Sequence, residues 1–211
     1  MSCKLVIGSG AALDWAVADW REAAPELEIR PVLLADAASD TALAALLDEF
    51  DGLAASGNAS AFVVGDAQYL NFRRLELMGA LKSRGFAMPP LICRGALVAS
   101  SASVSENTSI GAGAIIGHDC KIGFNVVIGA GANLGSGSTI GNSAWIEDGV
   151  LVGRGATIGA NVTLGSGVII GARVAIGRYC VIDKPGKILA DVAAKTFLHA
   201  SHANPIVIVG Q

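Results

Sequence analysis

The feature that most limits what this chain can fold into is a six-residue beat between Ala96 and Asp183. Every sixth residue is aliphatic: Val98, Val104, Ile110, Ile116, Ile122, Ile128, Leu134, Ile140, Ile146, Val152, Ile158, Leu164, Ile170, Ile176 and Ile182. These fifteen positions keep register without an insertion, and Gly follows eleven of them. A small or β-branched residue sits two places before each aliphatic, as at Ala114, Cys120, Val126, Ala132, Ser138, Ala144, Val162 and Cys180. Side chains alternate along a strand, so the aliphatic and the small residue two before it point the same way. Gly, or Asn125, Asn161 and Asp119, supplies corners where a positive φ is cheap. One short strand and one turn per six residues is the signature of a parallel β-helix. Three repeats close a triangular coil of about eighteen residues, which predicts about five coils and a prism roughly 20–25 Å tall.

The segment ahead of the repeats reads differently. Lys4 to Ile7 is a buried-strand pattern running into the Gly8-Ser9-Gly10 turn, and Leu13 to Ala24 reads as a helix. Ile29 to Ala35 is a second strand ended by Asp36, and Thr41 to Phe50 a second helix. Ala61 to Val64 is a third strand followed by Gly65-Asp66, and Phe72 to Arg84 a third helix. That alternation predicts a small parallel α/β domain over 1–88, closed by Pro89-Pro90. The β-helix is expected over 89–184, with Asp183 to Gly186 ending the stack, and a capping tail over 185–211. Within the tail, Ile188 to Ala203 reads as a helix or a returning strand, with a short helix favoured, and Pro205 to Val209 as a last strand covering the open end.

Composition excludes several functions. The formal charge is −3 with no basic stripe, which argues against a nucleic-acid partner. A long uncharged stretch, Ile122 to Trp145, is punctuated by glycines on the six-residue beat and does not read as a membrane span. The strand-like start predicts no signal peptide. The four cysteines, Cys3, Cys93, Cys120 and Cys180, show no metal spacing. They read as reduced small hydrophobes of a cytoplasmic protein.

Of three histidines, His118 is the informative one. It stands two residues past the inward Ile116, at a corner, pointing out, beside Asp119. An imidazole titrating near neutrality suits general-base work, and a neighbouring carboxylate stabilises the imidazolium. The column above it, eighteen residues per step, carries Ser136 and then Arg154, flanked by Gly135, Gly137, Gly153 and Gly155. Backbone N–H groups at such corners suit a thioester carbonyl or its oxyanion, and Arg154 suits a phosphate of a CoA-like donor. A solvated corner charge is the plainer account of Arg154, as an exposed surface residue is of His118. Gly8-Ser9-Gly10 is either a phosphate cradle at a helix N-terminus or a plain tight turn. Asp36 either binds a ribose or base edge or caps a helix. Phe124 and Tyr179 fall at corners, where an exposed aromatic calls for a covering neighbour, and a trimer is expected.

These residues carry a resemblance. The chain resembles the bacterial sugar acyltransferases of the sialic-acid O-acetyltransferase type, which include UDP-amino-sugar N-acetyltransferases. The likeness spans nearly the whole chain: Gly8-Ser9-Gly10, the acidic strand end at Asp36, Phe62 to Asp66 ahead of a helix with Arg74, and above all Gly117-His118-Asp119-Cys120-Lys121-Ile122-Gly123. The resemblance implies a Rossmann-like domain holding a nucleotide-sugar through Gly8, Ser9, Gly10, Asp36 and Asp66, and a left-handed β-helix packed as a homotrimer. It implies acetyl-CoA as acyl donor along the groove between prisms, at Ser136, Gly137, Arg154 and Gly155, with no metal. His118 would deprotonate the sugar amine or hydroxyl, Asp119 would support it, and the Ser136 amide would contact the acetyl carbonyl. Two histidines of the family fall here on Ala12 and Val127. A scaffold that has lost chemistry is one alternative. A zinc hydratase of the γ-carbonic-anhydrase type is another; it uses three histidines on the prism, where this chain has one.

Overall fold

A computed structural model describes residues 2–34, 48, 50–55, 57, 59–65 and 71–207. The prism follows directly from the beat. In the two-residue strands the second residue points inward, and from Ile110 to Ile182 every sixth residue is buried. Val98 and Val104 pack against the same core from its first coil. Burying an aliphatic side chain contributes about 1.5–3 kcal/mol. The small residues two places earlier, Ala114, Cys120, Val126 and Cys180 among them, are fully buried and fill the axis.

The strands stack as three parallel ladders with partners eighteen residues apart, as in Ile116↔Leu134, Ile122↔Ile140 and Ile128↔Ile146. The first face runs through Leu91, Ser109, Val127, Trp145, Thr163 and Val181. The second runs through Leu97, Ile115, Asn133, Leu151 and Ile169. The third runs through Ser103, Lys121, Thr139, Thr157 and Ala175. The corner between the third and first faces uses Asn107, Asn125, Ser143, Asn161 and Tyr179, all at positive φ.

The stack does not stop at Asp183. Lys187 pairs with Ile169 on the second face, Val192 bridges to Ile176 on the third, and Leu198 pairs with Ile182 on the first. The solenoid therefore makes about six turns rather than five. The helix expected over 188–203 is absent, replaced by strands Gly186–Ile188 and Thr196–His199. Ile188 is still in phase, but Val192 and Leu198 lie sixteen residues beyond their partners, not eighteen. Two residues are missing from the last coil, which hides the period while preserving inward Ile188, Val192 and Leu198. The end strand, Ile206–Val207, pairs antiparallel to Thr196–Phe197. Residues 208 and 209 of the expected strand lie outside the described set.

In the N-terminal part β1 (Cys3–Gly8) lies between β2 (Glu28–Leu33) and β3 (Ala59–Val63), all parallel. Helices α1 (Gly10–Ala23), α2 (Asp51–Ala55) and α3 (Phe72–Ser83) accompany them. α1 buries Leu13, Ala16, Val17 and Trp20 against a cluster with Val6, Phe62 and Leu91. α3 buries Leu77, Met78 and Leu81 in a second cluster with Leu5, Ile7 and Val63. The expected helix over 41–50 falls almost wholly outside the described residues.

Arg74 of α3 staples this part to the prism. Its guanidinium donates to the carbonyls of Val63 (2.8 Å), Asn125 (2.9 Å) and Asn107 (2.5 Å). Asn107 Oδ1 accepts the Val63 N–H at 2.8 Å, and Asn71 Nδ2 donates to the Asn125 carbonyl. Burial pushes the Arg74 pKa down to about 9. Three carbonyl acceptors nonetheless hold it as a cation at neutral pH. The corner aromatics are also covered in cis. Phe124 packs on the N-terminal core, and Tyr179 stacks on Phe72 at 6.3 Å. Their placement at corners therefore needs no second chain, contrary to the sequence argument.

Candidate active site

Ile116 and Cys120 are both buried, so the three residues between them must turn outside the core. Asp119 takes φ 58 to make that turn, and His118 projects into solvent. Gly117 is required by the stacking: a Cβ there would stand 2.6 Å from the Ser136 nitrogen and 2.9 Å from its hydroxyl. The corners lock in register. The Gly137 N–H donates to the His118 carbonyl at 2.8 Å, and the Gly155 N–H to the Ser136 carbonyl at 3.1 Å. The Ser136 N–H itself donates to no acceptor among the described residues. Arg154, one coil further, is exposed and in no ion pair among them. Imidazole, unpaired amide and guanidinium thus rise along one edge, between the second and third faces.

The polar partner of the imidazole is one that sequence reasoning missed. Ser101 Oγ lies 3.2 Å from His118 Nδ1 and accepts the Asp119 N–H at 3.0 Å. Among the described residues the Asp119 carboxylate forms no hydrogen bond or ion pair with His118. The signal for Ser101 was present eighteen residues back from Asp119, in the direction opposite to the column that led to Ser136.

A second feature lies at another edge. A cleft of about 610 Å³ opens between α1 and the first face, where Ala12, Trp15, Val64, Val127, Trp145 and Asp148 line it. It sits at the carboxyl ends of β1 and β3, where ligands of parallel α/β sheets bind. Gly8 ends β1 beside Val64, so close that a Cβ would stand 2.2 Å from the Val64 Cγ2. Ser9 is the N-cap residue of α1, and Gly10 takes φ 55. Ala12 and Val127, the two positions where histidines of the resembling family fall, meet in this cleft and leave it apolar. Cys93 also lines it, and burial together with nearby Asp19 pushes that thiol up to about 12, so it is not a nucleophile at neutral pH. Asp36 and Asp66 lie outside the described residues. The chain does not bring His118 and the cleft together, because they occupy different edges of the same prism.

Residues 101–136 and 143–184 match the sequence profile described as bacterial transferase hexapeptide (six repeats). A search of the curated proteins finds no sequence match. Among solved structures, the hexapeptide chain is similar to PerB from Caulobacter crescentus, described in complex with CoA and GDP-perosamine. Identity is 22%, with 96% of this chain and 97% of that one covered at a TM-score of 0.79. It is also similar to the acetyltransferase domain of PglB from Neisseria gonorrhoeae, at 18% identity, 96% and 99% coverage and a TM-score of 0.79. WeeI from Acinetobacter baumannii follows at 14% identity, 97% and 100% coverage and a TM-score of 0.54. The shared fold is an α/β region followed by a left-handed β-helix.

Proposed function

We propose that this chain is an acyl-CoA-dependent acyltransferase that moves an acetyl or similar acyl group to an amino or hydroxyl group of a nucleotide-linked sugar. One observation carries the reading: an exposed imidazole, His118, sits one coil below an unpaired Ser136 N–H on a rigid edge. A base and an oxyanion donor on adjacent rungs are what thioester aminolysis or alcoholysis needs. His118 Nε2 takes the proton as the acceptor nitrogen or oxygen bonds to the thioester carbon. The Ser136 N–H meets the oxygen that gains charge. The C–S bond breaks, and the proton passes from the imidazolium to the leaving thiolate. Asp119 supports His118 through its N–H, which anchors the Ser101 hydroxyl that reaches the imidazole. Gly137, Gly155 and Arg154 continue the edge along which the donor runs, with Arg154 on a phosphate.

Residues 1–88 hold the nucleotide-sugar near Gly8, Ser9, Gly10, Asp36 and Asp66, residues 89–184 carry the chemistry and residues 185–211 cap it. The neighbours support the choice of the two ligands, since PerB is described with both CoA and GDP-perosamine. Because His118 and the cleft lie on different edges, a homotrimer completes the site, with His118 of one copy facing the cleft of the next. An apolar ladder on the second face supports this: Leu97, Ile115 and Leu151 are 63%, 43% and 42% exposed. Among the described residues no helix is long and apolar enough to cross a membrane. The four free, buried cysteines suit the cytoplasm.

The test is calorimetric titration with acetyl-CoA and a panel of UDP-, GDP- and CMP-sugars, followed by turnover of whatever binds. His118→Ala should bind the donor normally and lose about 10²- to 10⁴-fold in kcat. Full turnover in that variant refutes the base assignment. Failure of both ligands to bind would favour a scaffold.

A further inference from the structure

His118 sits on an exposed corner, where nothing in the prism core fixes its ring. The polar side chain that reaches it among the described residues is Ser101, one coil below, with Oγ 3.2 Å from Nδ1. That hydroxyl is itself anchored, because it accepts the Asp119 N–H at 3.0 Å. A serine hydroxyl has two lone pairs and one proton, and the Asp119 amide occupies one lone pair. Two arrangements remain. If Oγ accepts a proton from Nδ1–H, the hydroxyl proton turns to solvent at this exposed position, and Nε2 presents a lone pair outward. If Oγ instead donates to Nδ1, Nε2 carries the proton and the neutral imidazole has no free lone pair.

We propose that Ser101 is the positioning residue of His118: it accepts the Nδ1 proton, holds the ring in the Nδ1–H tautomer and leaves Nε2 as the proton acceptor. The inference rests on the reading of His118 as general base. The same bond persists after proton uptake, because Nδ1 remains a donor in the imidazolium. The ring therefore need not turn between taking the proton and delivering it to the thiolate. Asp119 supports the arrangement through its backbone, which at φ 58 turns the corner and pins Ser101.

The tautomer is read directly by long-range proton–nitrogen NMR of the full chain labelled with nitrogen-15 histidine. The chain has three histidines, and His118 is assigned by the signals that vanish in His118→Ala. In neutral wild-type protein His118 should show the Nδ1–H pattern. Ser101→Ala should move it toward Nε2–H, the form an unconstrained histidine side chain prefers, and Ser101→Thr should restore it. In turnover, Ser101→Ala should lower kcat by about 10- to 100-fold with KM for donor and acceptor unchanged. Ser101→Thr should recover most of the loss. An Nε2–H pattern in the wild type overturns the proposal. So does a His118 spectrum unaltered by Ser101→Ala, or full kcat in that variant. The spectrum needs no substrate, so a failure of the acyltransferase reading is told apart from a failure of the Ser101 assignment.

Discussion

Lys4 is the second residue of β1 and has no exposed surface. Its ammonium has no hydrogen-bond partner among the described residues and lies 4.2 Å from the centroid of the Trp20 ring. Burial lowers its pKa from 10.5 to about 8. Below pH 8 both folded and unfolded chains hold the proton, and the folded form carries the whole desolvation cost. Between about 8 and 10.5 the unfolded chain binds a proton that the folded chain does not, so stability rises with pH across that window. A shift of that size corresponds to about 3 kcal/mol. Lys4→Met keeps the stem and removes the charge. It forfeits the cation–π contact, worth ~2 kcal/mol when desolvated, so the net gain at pH 7 should be about 1–2 kcal/mol. With a urea m-value of about 2 kcal/mol/M, the midpoint moves up by about 0.5–1 M. The assay is urea unfolding followed by tryptophan fluorescence at pH 7 and pH 9.5, comparing variant with wild type so that other titrating groups cancel. The advantage of the Met chain should shrink at the higher pH. A Met variant less stable at pH 7, with a difference independent of pH, would refute the reasoning and mean that the Lys4 ammonium is well solvated in the fold.

Three further outcomes are expected. Arg74→Met removes three bonds and leaves the Asn107 carbonyl short of a partner, so urea unfolding should show a loss of about 2–4 kcal/mol. Hydrogen exchange in the same variant should rise in α3 before it rises in the prism. Gly117→Ala would put its Cβ 2.6 Å from the Ser136 nitrogen, so the unfolding free energy read from urea denaturation should fall by about 1–3 kcal/mol. If the proposed trimer packs through the second face, Leu151→Lys places a charge in that interface, and light scattering should show the 21.3 kDa monomer for the variant and a trimer for the wild type.

The prism was legible because its period is a geometric necessity: a six-residue beat leaves one inward aliphatic per side, and one inward residue fixes the register of every strand. The last coil was not, since removing two residues moves Val192 and Leu198 off the beat although both still face the axis. His118 stood out because a corner histidine has no packing role, and the column above it located the free Ser136 amide. Ser101 escaped notice because an exposed serine carries no signal until stacking puts it beneath Asp119. Phe124 and Tyr179 misled for a related reason. Sequence shows that a corner aromatic needs cover but not whether the cover comes from another copy or, as here, from the chain's own N-terminal part.

The antiparallel pairing of Ile206–Val207 on Thr196–Phe197 bears on how such a molecule behaves when concentrated. A solenoid of identical parallel rungs is a template for its own extension, since the edge of its last rung offers the pattern that its first rung could extend. Lengthened that way, copies would polymerise head to tail into fibres. Reversing the direction of the terminal strand, after a rung two residues too short, breaks that self-complementarity on the first face. The tail that looked least like the rest of the sequence therefore ends the parallel ladder of the first face.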